Sequence, residues 1–186
     1  MPVAEFTDIR TYLINTSMSI SKGNIKDDIS FDARLRASYR TKHAEWLDGL
    51  GFNVGLTLNF NDRRVGLYAA RERVRDCFAR VDRRMLGRNF NKKSAEERVE
   101  GVFFFEHVES NLHCHGLVRV APEMLARFDR LFPADSDRGV WADVCPSGTY
   151  ALRDIAPRAA AFYVTKEQNA WSDTDRTLWL SESFRA

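Results

Sequence analysis

The sequence predicts an α+β fold: a central antiparallel sheet of four or five strands with flanking helices. Three observations predict it. Residues 52–60 (FNVGLTLNF) alternate apolar and polar side chains at the period of a strand. Between Arg64 and Leu86, the residues Leu67, Val74, Cys77, Phe78, Val81, Met85 and Leu86 recur along one stripe at helical spacing, with arginines around the remainder. Val99–Glu109 and Leu112–Val120 are two β-rich runs separated by Ser110 and Asn111, the pattern of an antiparallel hairpin.

The remaining elements follow in chain order. The first forty residues are polar and weakly periodic, with one strand-like stretch near Ile9–Ile14 and basic residues at Arg34, Arg36, Arg40 and Lys42. Tyr39–Leu50 reads as a helix ended by the Gly49/Gly51 punctuation, and Asn61-Asp62 as the turn after the first strand. Gly87–Glu97 is a basic, polar connection. Pro122 suits a first helical turn, and Met124, Leu125, Phe128, Leu131 and Phe132 then form an apolar face that stops at Pro133. Gly139–Cys145 is expected to be a strand, Pro146–Thr149 a turn, and Arg158–Trp171 a helix entered after Pro157. Runs of strands and helices in this order suit a layer of helices on an antiparallel sheet.

A chain of 186 residues with 44% hydrophobic side chains holds one core and is too short for two ordinary domains. Its apolar runs are far shorter than the roughly 20 residues that cross a bilayer, and no signal-peptide pattern opens the chain, so no membrane association and a cytoplasmic setting are expected. Cys77, Cys114 and Cys145 are odd in number and widely spaced, which argues for reduced thiols rather than a disulfide framework or a zinc knuckle. Net charge is only +2, yet the stretch from Arg63 to Lys93 carries eleven Lys or Arg against three acids, a surplus suited to a polyanion. His43, Trp46, Trp141 and Trp171 are expected to pack locally.

The chemistry begins with His113-Cys114-His115. In a strand these two imidazoles project from one face while Cys114 points to the other, so together they form a two-donor platform for a divalent cation. A hard ion such as Mg²⁺ or Mn²⁺ also wants an oxygen ligand. Glu106, across the hairpin, is the preferred third ligand. Alternation groups it with Phe104 and Val108, leaving His107 and Glu109 on the opposite face as substitutes that a β-bulge would promote. Further on, Tyr163 lies one helical turn from Lys166 and Glu167. A free phenol is a weak nucleophile and needs a nearby cation, a need that Lys166 meets.

Here the sequence resembles a known family, the HUH endonucleases, and within it the single-tyrosine Rep proteins that initiate rolling-circle replication. Three motifs occur in the family's order over Phe52 to about Trp171. Val54–Phe60 is similar to the first-strand motif, His113-Cys114-His115 to the metal motif with Glu106 where the acidic ligand precedes it, and Tyr163-Val164-Thr165-Lys166 to the Tyr-x-x-Lys motif. Relaxases carry the tyrosine before the histidines; here it follows them.

The resemblance implies an HUH/RRM-like palm and a Mg²⁺ or Mn²⁺ ion on His113, His115 and Glu106. It also implies Tyr163 as the nucleophile assisted by Lys166, and single-stranded DNA at an origin hairpin as substrate. Thr57, Asn59, Arg63, Arg64 and Arg71 are the expected DNA contacts. No Gly-x-x-x-x-Gly-Lys-Ser/Thr phosphate loop occurs in the sequence, so a separate helicase is the expected partner for unwinding. Two other readings stay open: a single-tyrosine transposase with the same chemistry, and a non-catalytic nucleic-acid-binding α+β domain.

Overall fold

A computed structural model describes residues 25–133, 139–154, 163–164 and 176–180, with side chains described for most of them. The expected α+β architecture is observed. Helix α1 spans Ile25–Asp48, strand β1 Val54–Asn59 and helix α2 Leu67–Leu86; two 3-10 turns then lead to β2, Glu100–Glu106, and β3, His113–Arg119. A 3-10 turn runs into the short helix α3, Leu125–Asp129, and strands β4, Thr149–Asp154, and β5, Thr177–Trp179, follow. All five strands form one antiparallel sheet in the order β4-β1-β3-β2-β5.

Each face of the sheet buries a different set of side chains. Leu56 and Leu58 of β1, Phe103 and Phe105 of β2, and Cys114 and Val118 of β3 pack with Ala70, Val74, Cys77, Phe78, Val81 and Met85 of α2, together with Phe128, Phe132 and Trp141. The stripe read from the sequence is thus the buried face of α2. On the opposite face Val102, Phe104 and Leu117 pack with Ala44 and Leu47 of α1 and with Val164. β2 is buried on both sides because it is an inner strand covered twice, which is why its sequence shows an apolar run rather than alternation.

Four expectations are corrected. Residues 139–145 form successive turns instead of a strand; Val140, Trp141 and Cys145 are buried because this turn packs onto the α2 side, which imitates the hydrophobic signal of a strand. The missing strand is β4, beginning at Thr149 where only a turn was expected. The hairpin turn is longer than Ser110-Asn111: β2 ends at Glu106 and β3 starts at His113, because His107 adopts a left-handed conformation with φ 52° that no ladder continues through. Helix α1 also starts well before Tyr39. The stretch near Ile9–Ile14 lies outside the described residues, as does the 158–171 helix except for Tyr163 and Val164, which are helical.

Gly116 shows how tightly the α2 side is packed. It pairs with Phe103 across the ladder, and a Cβ at Gly116 would lie 2.3 Å from that ring. Gly116→Ala is expected to lower stability by about 2–3 kcal/mol in a denaturant titration, since a fully buried aromatic must move. A change under about 0.5 kcal/mol would show that Phe103 repacks freely.

The α1 side holds a buried imidazole. His43 stacks on Trp46 with ring centroids 5.8 Å apart and meets the edge of Phe104 at 5.9 Å. Burial penalises its charged form and pulls its pKa down from 6.5 to about 4. The unfolded chain therefore binds more protons than the fold between these values, so stability is full above about pH 6.5 and falls as pH drops toward 4. At about 1.4 kcal/mol per pKa unit, the loss reaches about 3 kcal/mol. Stability measured against pH should fall less steeply over this window for His43→Leu than for the native chain; superimposable slopes would contradict the assignment.

Candidate metal centre

The register brings the site residues onto two neighbouring rungs of one sheet face. On the first, Thr149, Asn59, His113 and Glu106 are successive partners across β4, β1, β3 and β2; on the second, Ala151, Thr57, His115 and Phe104 are. Alternation therefore puts both imidazoles and the Glu106 carboxylate on the α1 side of the sheet, with Cys114 in the opposite core. Burial pushes the Cys114 thiol well above its ordinary pKa, and it serves there as a small apolar side chain.

Glu106 is fully buried, and its Oε2 lies 3.5 Å from His113 Nε2 and 3.6 Å from His115 Nε2. These separations exceed a good hydrogen bond. They match donors sharing one cation, since atoms each about 2.0–2.2 Å from an ion sit roughly 3–3.5 Å apart. The far nitrogens fix the orientation. His113 Nδ1 lies 2.9 Å from the carbonyl of Asn111, which only accepts, so Nδ1 carries the proton and Nε2 offers a lone pair. His115 Nδ1 lies 3.0 Å from the Thr57 hydroxyl, an oxygen able to accept in the same way. Among the described residues, His115 Nε2 is buried with no hydrogen-bond partner. A carboxylate and imidazole nitrogens turned toward one another are donors of the kind a divalent metal takes, and the residues present fit such an ion.

His107 joins this group. The donor atoms of Glu106, His107 and His113 all lie within 4.8 Å of one another; His115 is outside that mutual group and meets it through the Glu106 oxygen at 3.6 Å. A cluster of Glu and His close enough to hold a metal ion is therefore present. His107 was expected on the opposite face of β2; its left-handed backbone turns it back, and its ring stacks on His113 at 5.2 Å and 24°. Glu109 is exposed in the turn and outside that group.

Tyr163 meets the cluster from another part of the chain. Its ring lies edge-on to His115, with centroids 5.0 Å apart and planes at 71°, and the residue is 49% exposed. The neighbouring Val164 anchors it by burying against Ala44, Leu47, Val102, Phe104 and Leu117. Lys166 lies outside the described residues.

The expected DNA contacts divide. Thr57 is occupied with His115, and Asn59 donates to the Thr149 hydroxyl at 3.2 Å on the first rung. Arg63 and Arg64 are exposed just beyond the site end of β1, with Arg64 forked onto Asp62. Arg71 instead ties α2 to β5 by donating to the Thr177 carbonyl at 2.8 Å. Much of the basic surplus of α2 is compensated by neighbouring acids: Arg75 pairs with Glu72, Arg80 with Asp76 and Arg84 with Asp143. That helix also covers the sheet face away from the imidazoles.

Sequence reasoning did not assign Thr57 to His115 or His107 to His113. The first needs the β1–β3 register and the second a single backbone dihedral, and neither leaves a periodic signal. Compared with known proteins, the chain matches no family model, no curated protein and no solved structure. Among the described residues, no helix is long and apolar enough to cross a membrane.

Proposed function

We propose that this chain is a metal-dependent endonuclease and strand transferase of the HUH type, nicking and rejoining single-stranded DNA through a phosphotyrosine, in the manner of a rolling-circle initiator. The observation that carries the reading is the convergence of Tyr163 on His115 beside the buried Glu106, from stretches about fifty residues apart in sequence. Core packing alone does not call for a half-exposed phenol next to an imidazole that faces a buried carboxylate.

His113, His115 and Glu106 would hold a divalent ion, which would supply charge stabilisation at the scissile phosphate. Thr57 and the Asn111 carbonyl hold the two imidazoles in position. The Tyr163 oxygen attacks phosphorus and loses its proton as the new O–P bond forms. The bond to the 3′ oxygen breaks and that oxygen takes up a proton, leaving a free 3′-OH and a 5′-phosphotyrosine. Bond energy is conserved, so the reverse attack by a 3′-OH reseals the strand. The open side of the site favours an unpaired strand: Thr149, Ala151 and Arg153 of β4 are exposed, and their register alternation puts them on the imidazole face.

Incubation with Mn²⁺ and a mixed library of single-stranded oligonucleotides tests this reading. A denaturation-resistant protein–DNA adduct that disappears with chelator is the expected outcome. Retention of DNA without any adduct would reduce the chain to a binding domain.

A further inference from the structure

We infer that His107 completes the centre as a fourth protein donor, and that three imidazoles with one carboxylate select a nitrogen-seeking divalent ion of the Co²⁺ or Zn²⁺ class over Mg²⁺. This rests on the metal-centre reading above and carries it to the identity of the ion.

Three of the chain's four histidines are gathered here. A residue following Glu106 in a regular strand would face away from it. His107 does the opposite, by adopting φ 52°, one of two positive φ values at non-glycine residues among those described. That conformation is disfavoured for a residue that carries a Cβ. The turn is held closed by two backbone bonds, from Ser110 N at 3.0 Å and Asn111 N at 3.1 Å, both to the His107 carbonyl. The same turn supplies the Asn111 carbonyl that orients His113. One loop thus aims two imidazoles, and it brings the His107, His113 and Glu106 donors to within 4.8 Å of one another.

The chemistry of the donors then decides the ion. Mg²⁺ favours an octahedral shell of oxygens and gives up its waters reluctantly, whereas imidazole donors suit the later first-row ions, whose affinity for nitrogen sites rises toward copper and zinc. Two histidines and a carboxylate leave room for Mg²⁺ with water. A third histidine shifts the balance to Co²⁺ and Zn²⁺.

The test is a titration of the metal-stripped full chain with Co²⁺, read by its visible absorption, and with Mg²⁺ by competition against bound Co²⁺. The native chain is expected to bind Co²⁺ more tightly than Mg²⁺ by about 100-fold. His107→Asn, chosen because Asn tolerates the left-handed backbone, should weaken Co²⁺ binding by about tenfold or more, alter the absorption band, and leave Mg²⁺ affinity nearly unchanged. If the Asn variant fails to fold, His107→Gly, equally at ease at this φ, takes its place in the same titration. Equal Co²⁺ affinity and an identical spectrum in the variant would overturn the role of His107 while leaving the three-ligand centre intact. Mg²⁺ binding as tight as Co²⁺ in the native chain would overturn the selectivity. Absence of binding by either ion would overturn the centre itself, and the proposed function with it.

Discussion

Tyr163→Phe is expected to abolish the covalent protein–DNA adduct, lowering the rate of strand cleavage by on the order of 10⁴-fold or more, because no other oxygen replaces the one that attacks. The substitution is mild for the fold. Tyr163 is 49% exposed, and phenylalanine keeps both the ring edge against His115 and the neighbouring Val164 anchor. Stability should therefore change by no more than about 0.5 kcal/mol, and Mn²⁺ titration should be unaltered. Gel-resolved adduct formation and a thermal melt on the same preparation separate the two effects. Adduct surviving in Tyr163→Phe would dismiss this residue as the nucleophile, and cleavage at the native rate without adduct would point to water as the attacking group.

The second large effect is on the metal. Replacing both His113 and His115 by alanine removes two donors that face one carboxylate oxygen, and cleavage is expected to drop by on the order of 10³-fold or more. The sharper measurement is linkage. An ion that binds only the folded chain stabilises it by about 2.7 kcal/mol when present at 100 times its dissociation constant. Mn²⁺ should raise the melting temperature of the native chain and of Tyr163→Phe, and leave that of the double alanine variant unmoved. An unchanged Mn²⁺-dependent rise in that variant would count decisively against these two side chains as ligands. The double variant also keeps Thr57, so any loss cannot be assigned to the hydroxyl that orients His115.

How far the site could be read beforehand depends on the range of each signal. His113 and His115 were legible because their relation is local: two residues apart on a strand means one face, whatever the rest of the chain does. Glu106 was legible as their neighbour even though the turn was placed too short, because its alternation with Phe104 holds whichever residues close the hairpin. Regular alternation puts His107 on the opposite face, as a ligand only if the strand is interrupted, and its left-handed dihedral just past the end of β2 is such an interruption. The basic run of α2 was visible, but the pairing of Arg84 with Asp143 and the bond of Arg71 to Thr177 join residues far apart in sequence, and no composition count reveals them.

The same distinction holds for the fold. Periodicity carried β1, the stripe of α2 and the apolar hairpin strands, because a side chain's burial repeats with the geometry of its own element. It failed at residues 139–145, where a turn is buried by its neighbours and hydrophobicity no longer reports backbone form. It was also silent on the strand order β4-β1-β3-β2-β5, which follows from pairing between distant segments. That order seats Thr57 beneath His115, and packing of Val164 against α1 and the inner strands brings the Tyr163 ring to the same imidazole. Residue types and local spacing thus pointed to a strand that carries potential metal ligands and to a candidate nucleophile. Their meeting in space is a property of long-range packing, whose free energy is spread over both faces of the sheet and written in no single segment.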